Sequence, residues 1–227
     1  AREDKISYLK KINKIKEHIK KGDIYEMNYC QEFYSESANF SPQSMFLEIN
    51  KSMQTPFTCF LRVRSKHVLS FSPERYLKKK GNHILSQPIK GTISRGNSYK
   101  EDLSNIKFLK KNQKDISENI MITDLVRNDL SITSLKGTVQ VEELCGVYTF
   151  DKVHQMITTI SSKISRNEKF TDVLKSTFPM GSMTGAPKLK SMELIDLYEE
   201  FRRGIFSGSI GYINPNCDFD FSVVIRT

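Results

Sequence analysis

Gln87-Pro88-Ile89-Lys90-Gly91-Thr92-Ile93-Ser94-Arg95-Gly96 places a lysine between a proline and a glycine, directly after an alternating apolar and polar run from His83 to Gln87. Proline fixes φ and has no N–H to give a ladder, so the run is expected to close there as a strand. Gly91 lets the backbone approach whatever Lys90 addresses. This reading puts Lys90 on a short, stiff turn, where its amine is aimed and, if desolvated, becomes a nucleophile. The alternative is a surface loop on which Lys90 and Arg95 are merely solvated.

Working outward, residues 5–21 carry Ile6, Leu9, Ile12, Ile15 and Ile19 at steps of three and four. An amphipathic helix is predicted there, with Gly22 ending it. Asp23 to Phe33 alternates like a strand, and Ser41-Pro42 opens a helix over residues 40–53. Phe57 to Val63 and Val68 to Phe71 read as strands, followed by Ser72-Pro73-Glu74-Arg75 and a strand pair around Lys80-Gly81-Asn82. One long helix is expected from about Leu103 to Asn128. On it Glu118 shares a face with Met121, Ile122 and Leu125, so its carboxylate either meets a cation (a metal ion or an arginine) or reaches water at the rim.

Strands resume at Gly137 to Glu142 and around Val153 to Ile164. His154 lies in the second, as a core histidine or as a participant in chemistry. Phe178-Pro179-Met180-Gly181-Ser182-Met183-Thr184-Gly185-Ala186-Pro187-Lys188 is a small-residue loop entering a helix with Leu189, Met192, Ile195, Tyr198 and Phe201 along one stripe. Such a helix start is suited to an anion, and equally to an ordinary cap. Two strands then flank the turn Asn214-Pro215-Asn216.

Composition narrows the class. The 227 residues hold 38% hydrophobic and 27% charged residues, ordinary for a globular protein with its own core. No apolar run approaches a membrane span. Cys30, Cys59, Cys145 and Cys217 form no C-x-x-C pair and read as reduced thiols, with a cytoplasmic location expected. The net charge of +9 permits anionic ligands. Its basic runs, Lys5 to Lys21 and Lys78 to Lys80, lack the interleaved aromatics of a single-strand platform, so no nucleic-acid partner is expected.

Taken together, the blocks SPERY (72–76) with QPIKGTISRG, ENIMITDLVRNDL, FPMGSMTGAPK, and RRGIFSGSIGY with DFDFSVVIRT resemble the chorismate-utilising enzymes. GDIYEMNYCQEF (22–33) fits the start of the same domain. The resemblance spans the chain and implies an α+β layered sandwich of two packed β-sheets covered by helices, as one catalytic domain over residues 1–227 that lacks the family's C-terminal segment. Lysine in PIKGT, where anthranilate synthases carry alanine, resembles the aminodeoxychorismate synthase branch.

That resemblance implies magnesium-dependent amination of chorismate at C4 by ammonia, the ammonia coming from a glutamine amidotransferase subunit. Lys90 is then the nucleophile at C2, and Glu74 protonates the departing C4 hydroxyl. Gly91, Thr92, His154, Thr184 and Arg226 match substrate-binding positions, and Glu118 a magnesium ligand. Two residues depart from the family pattern. Phe206 replaces a usual tyrosine, and Glu26 stands where nitrogen-adding members have glutamine. Anthranilate synthase component I or another chorismate-utilising enzyme, and a catalytically incomplete chorismate-binding module, are the alternatives.

Overall fold

A computed structural model describes residues 1–227. Six α-helices and eleven strands alternate along the chain. The helices are α1 Lys5–Lys21, α2 Pro42–Ser52, α3 Tyr99–Lys111, α4 Gln113–Ser131, α5 Phe170–Thr177 and α6 Lys188–Tyr198. The strands are β1 Glu26–Met27, β2 Phe57–Val63, β3 Lys66–Ser72, β4 Arg75–Lys80, β5 His83–Gln87, β6 Ile89–Ser94, β7 Gln140–Thr149, β8 Val153–Lys163, β9 Gly185–Ala186, β10 Ser209–Ile213 and β11 Phe219–Val223.

The α+β class holds, and the sheet layer takes a definite form. One seven-stranded antiparallel sheet runs β10-β11-β4-β5-β8-β6, with β7 on the other side of β8. Two two-stranded ribbons, β2-β3 and β1-β9, stand beside it in place of a second sheet of similar size. β5 and β6 are almost one strand. Both pair with β8, and Pro88 interrupts them while its carbonyl still accepts from Thr158 N–H. The expected turn around Lys90 is therefore a strand segment with a register shift between Ile89 and Thr92. Proline has broken the ladder locally without ending it.

The caps follow from local chemistry. Asp4 accepts from the Ile6 and Ser7 N–H groups at the start of α1, and Gly22, at φ +81°, closes it. The buried face of α1 is rotated from the expected stripe. Ile15 is buried, whereas Ile6, Leu9 and Ile19 are exposed. The single helix expected up to Asn128 is two. Asn112 leaves helical geometry at ψ 106° and accepts from the Lys114 and Asp115 N–H groups, ending α3 and capping α4. Of the stripe expected on the last helix, Leu189 is exposed, and α6 buries Ser191 and Leu194 instead.

The main core joins one face of the sheet (Leu77, Ile84, Ile160, Phe219, Val223) to α4 (Ile122, Val126, Leu130), with Val173, Met180 and Met183 completing it. Aliphatic and aromatic side chains of this size contribute about 2 kcal/mol each when fully buried. α4 lies against β6 and β8, and its Asn119 reaches the Lys90 carbonyl.

Candidate active site

Lys90 leaves β6 with 14% of its side chain exposed, and its Nζ donates to Glu26 Oε1. Glu26 gets there because β1 pairs with β9, setting Glu26 opposite Ala186 in the small-residue loop. The second oxygen of Glu26, Oε2, is buried with no hydrogen-bond partner. The backbone at Lys90 is held from below. Asn119 Nδ2 of α4 donates to the Lys90 and Met156 carbonyls at 3.4 Å each, and Asn119 Oδ1 accepts from the Thr158 hydroxyl. Asn119 is one residue from the Glu118 singled out in the sequence, and it is Asn119 that turns inward. Its place in the sequence signals this, since it lies three and seven residues before the core residues Ile122 and Val126.

Glu74 sits between β3 and β4, only 5% exposed. Its backbone is pinned on both sides: its N–H donates to Ser72 Oγ at 3.2 Å, and its carbonyl accepts from Val223 N–H at 3.1 Å. Ser182 Oγ donates to Glu74 Oε1 at 2.6 Å. Burial pushes the Glu74 carboxyl up to about 7, against the opposing pull of Ser182, the nearby Lys90 charge and the Ile89 backbone N–H. Glu74 can therefore keep a proton at neutral pH, within electrostatic reach of a primary amine. The Lys90 charge is felt at Glu74, while the amine itself is engaged by Glu26.

The other expected residues divide. Gly91 has φ +91°, and a Cβ there would lie 3.0 Å from Asp115 Cβ and 3.2 Å from Leu109 Cδ1. The close approach is to α3 and α4, not to the far side of Lys90. Thr92 is exposed and pairs directly with Gln155 of β8. Thr184 is buried beside the loop, its hydroxyl donating to the Met180 carbonyl at 3.1 Å.

His154 is fully buried, its Nε2 2.9 Å from Asp102 Oδ1 and its Nδ1 2.9 Å from Thr149 Oγ1. Arg95 and the Gly96 N–H hold that aspartate well below the usual carboxylate range. Both ring nitrogens are thus occupied by groups of α3 and β7. Gln155, the next residue, projects from the opposite side of the strand. Its Oε1 is buried without a partner, and it lines a cavity of about 130 Å³ with Pro73, Lys152 and Arg226. Directly opposite residues of antiparallel strands share a face, so Gln155 and Thr92 present the same one. Sequence reading passed over Gln155. The available signal was the alternation of β8, which cannot send both 154 and 155 to one site.

Arg226 is exposed at this cavity and at the larger apolar groove lined by Phe71, Met53 and Phe206. Glu118 remains at the rim of α4. Its contact is Lys114 one turn back, at 3.5 Å, and no group of three or more His, Cys, Asp or Glu side chains converges to hold a metal ion. One carboxylate of this kind does not make an oxygen-rich magnesium site.

A family model described as chorismate binding enzyme matches residues 1–227. Aminodeoxychorismate synthase component 1 of Escherichia coli (strain K12) is 38% identical over 220 residues, covering 97% of this chain and 48% of that protein. The chloroplastic aminodeoxychorismate synthase of Arabidopsis thaliana is 38% identical over 223 residues, 97% of this chain and 24% of that one. Among solved structures, anthranilate synthase component I from Streptococcus pneumoniae TIGR4 superposes with a TM-score of 0.87 at 25% identity, covering 97% of this chain and 48% of that chain. The chain spans about half the length or less of the curated relatives it matches. It belongs to the chorismate binding enzyme family.

Proposed function

We propose that these residues carry the amination of chorismate at C4, with Lys90 as covalent nucleophile and Glu74 as general acid. One observation carries the reading: a buried carboxyl with its proton held to about pH 7 lies within electrostatic reach of an amine on a fixed strand. The Lys90 amine bonds to C2 of the ring as the C4 hydroxyl departs with the Glu74 proton, as water. Ammonia then bonds to C4 and the C2–N bond to Lys90 breaks, giving 4-amino-4-deoxychorismate and the free amine. The net change is chorismate plus ammonia to aminated product plus water.

Ser182 orients the acid, and Asn119 fixes the strand from which Lys90 projects. Gln155, Thr92 and Arg226 line the neighbouring face, where a guanidinium would take a substrate carboxylate. Thr184 and Gly91 hold the loop and strand in register. His154 acts on the site through Asp102 and β7. The name component 1 carried by several relatives supports ammonia delivery by a separate glutamine amidotransferase component. Glu118, paired with Lys114 at the rim of α4, does not by itself fit a magnesium ion.

The test is product identity after incubation with chorismate and an ammonium salt. The expected product yields para-aminobenzoate only after a pyruvate-removing lyase is added, and direct anthranilate overturns the assignment. A second reading, a chorismate-binding module without turnover, is favoured by the engagement of Lys90 Nζ with Glu26. Calorimetric binding of chorismate with no product would establish it.

A further inference from the structure

Beside Glu74 lies a small cavity of about 20 Å³ whose lining includes Glu74, Ser86, Asp129, Thr177 and Ser182, with Arg75, Tyr76 and apolar neighbours completing it. One water needs roughly 10–15 Å³ of such space and two to four polar partners. All five of these residues are more than nine-tenths buried. Four have protein partners. Ser182 donates to Glu74, Thr177 Oγ1 donates to the Val173 carbonyl and meets Tyr76 Oη, and Asp129 Oδ2 accepts from Lys188 Nζ at 2.5 Å. Ser86, 6% exposed on β5, makes no hydrogen bond through its hydroxyl to any protein group. A hydroxyl without a protein partner that faces a space of that size can be met by water.

We propose that this cavity holds one ordered water, bonded to the Ser86 hydroxyl and the Glu74 carboxyl, through which protons pass between Glu74 and the Asp129–Lys188 pair. The water stands on geometry alone; the relay rests on reading Glu74 as the acid. In the step, Asp129 gives its proton to the water oxygen while the water gives one of its own to the Glu74 carboxylate, and water is recovered. Burial pushes Asp129 up to about 6 even beside Lys188, so both carboxyls exchange protons near neutral pH. The groups facing Glu74 are Lys90 from β6, the Ile89 backbone and Ser182. Those facing Asp129 are Lys188 from α6, Asn128 and, across from β4, Tyr76. Arg75 is committed to Asp220 and Gln87. Lys188, 14% exposed, is the route by which solvent reaches the pair.

Two measurements on the 227-residue chain decide the matter. A crystal structure that resolves waters is expected to show one within hydrogen-bond distance of Ser86 Oγ and Glu74; an empty cavity overturns the proposal. The infrared band of the protonated Glu74 carboxyl, identified by its loss in Glu74→Gln, is then followed after a rapid pH jump. Asp129→Asn is expected to slow Glu74 protonation at least tenfold, and an unchanged rate overturns the relay. If that variant fails to fold because Lys188 is left unpaired, Val126→Leu serves instead. It fills the cavity from α4, alters no polar group, and is expected to give the same slowing. A Glu74 band that titrates at the ordinary carboxylate pH would overturn the general-acid role while leaving the water to be judged by its density.

Discussion

Glu74→Gln gives the sharpest test of the burial argument, because the amide keeps the shape and removes the titration. The Glu74 carboxyl rises from an ordinary 4.5 to about 7 in the folded chain. A shift of that size corresponds to about 3 kcal/mol. The sign follows from proton counting. Between the two values the folded chain binds the proton and the unfolded chain does not, so stability falls as pH rises from about 4.5 through about 7. Glutamine cannot ionise and lacks that slope. It has its own cost: one oxygen still accepts from Ser182, but its NH2 then faces the Ile89 backbone N–H, a loss of about 1 kcal/mol. The parent is therefore expected to be more stable by about 1 kcal/mol at pH 4.5, and the variant by about 2 kcal/mol at pH 8. The chain has no tryptophan, so urea unfolding would be followed by circular dichroism. Asp129 contributes the same slope to both proteins and cancels in the difference. Two stability curves that stay parallel from pH 4.5 to 8 would refute the buried, proton-holding acid.

Three further outcomes are expected. Lys90→Ala should abolish amination while leaving chorismate binding measurable by calorimetry, and unchanged turnover would remove the lysine from the chemistry. Gly91→Ala forces a side chain into φ +91° and against Asp115, and should cost about 2 kcal/mol in urea unfolding. A cost under ~0.5 kcal/mol would mean that β6 does not lie against α4 as described. Arg203→Met leaves Glu199, whose side chain is 2% exposed, without its guanidinium, and leaves the Met183 and Asn28 carbonyls without their donors. Loss of one partner from a buried pair costs about 3 to 5 kcal/mol. A midpoint unchanged from the parent would show that another group takes over.

Much of this was legible because it is local. Gly22 ends α1, Ser41-Pro42 starts α2, and Gly81 turns the β4-β5 hairpin, each through a few neighbouring backbone groups. Glu74 was tied to Lys90 only through the resemblance, and what the structure adds is that Glu74 is buried and feels the Lys90 charge. What escaped was decided at long range. The lysine's partner, Glu26, is 64 residues away, and the two strands that bring it there are two residues each, too short to leave a periodic trace. Asn112 breaks the α3–α4 run by bonding its own backbone two and three residues on, which competes with the helix without disturbing its apolar spacing.

The case of residues 154 and 155 shows how narrow the margin is. A strand turns successive side chains to opposite faces, so a site on β8 takes one of this pair and the core takes the other. A histidine attracts a chemical role by residue type, yet Asp102, itself held by Arg95 and the Gly96 N–H, has captured the His154 ring on the side of α3. Gln155 is left with an unmatched oxygen beside the cavity that Arg226 and Pro73 share. A buried amide oxygen without a donor costs about 1 to 3 kcal/mol. That cost is relieved when a ligand brings an N–H or O–H to it, so under the proposed function this is the face of β8 offered to substrate. Substituting Gln155→Leu should accordingly raise the stability of the free chain while weakening chorismate binding, and a variant that loses stability and keeps its affinity would refute this assignment of the face.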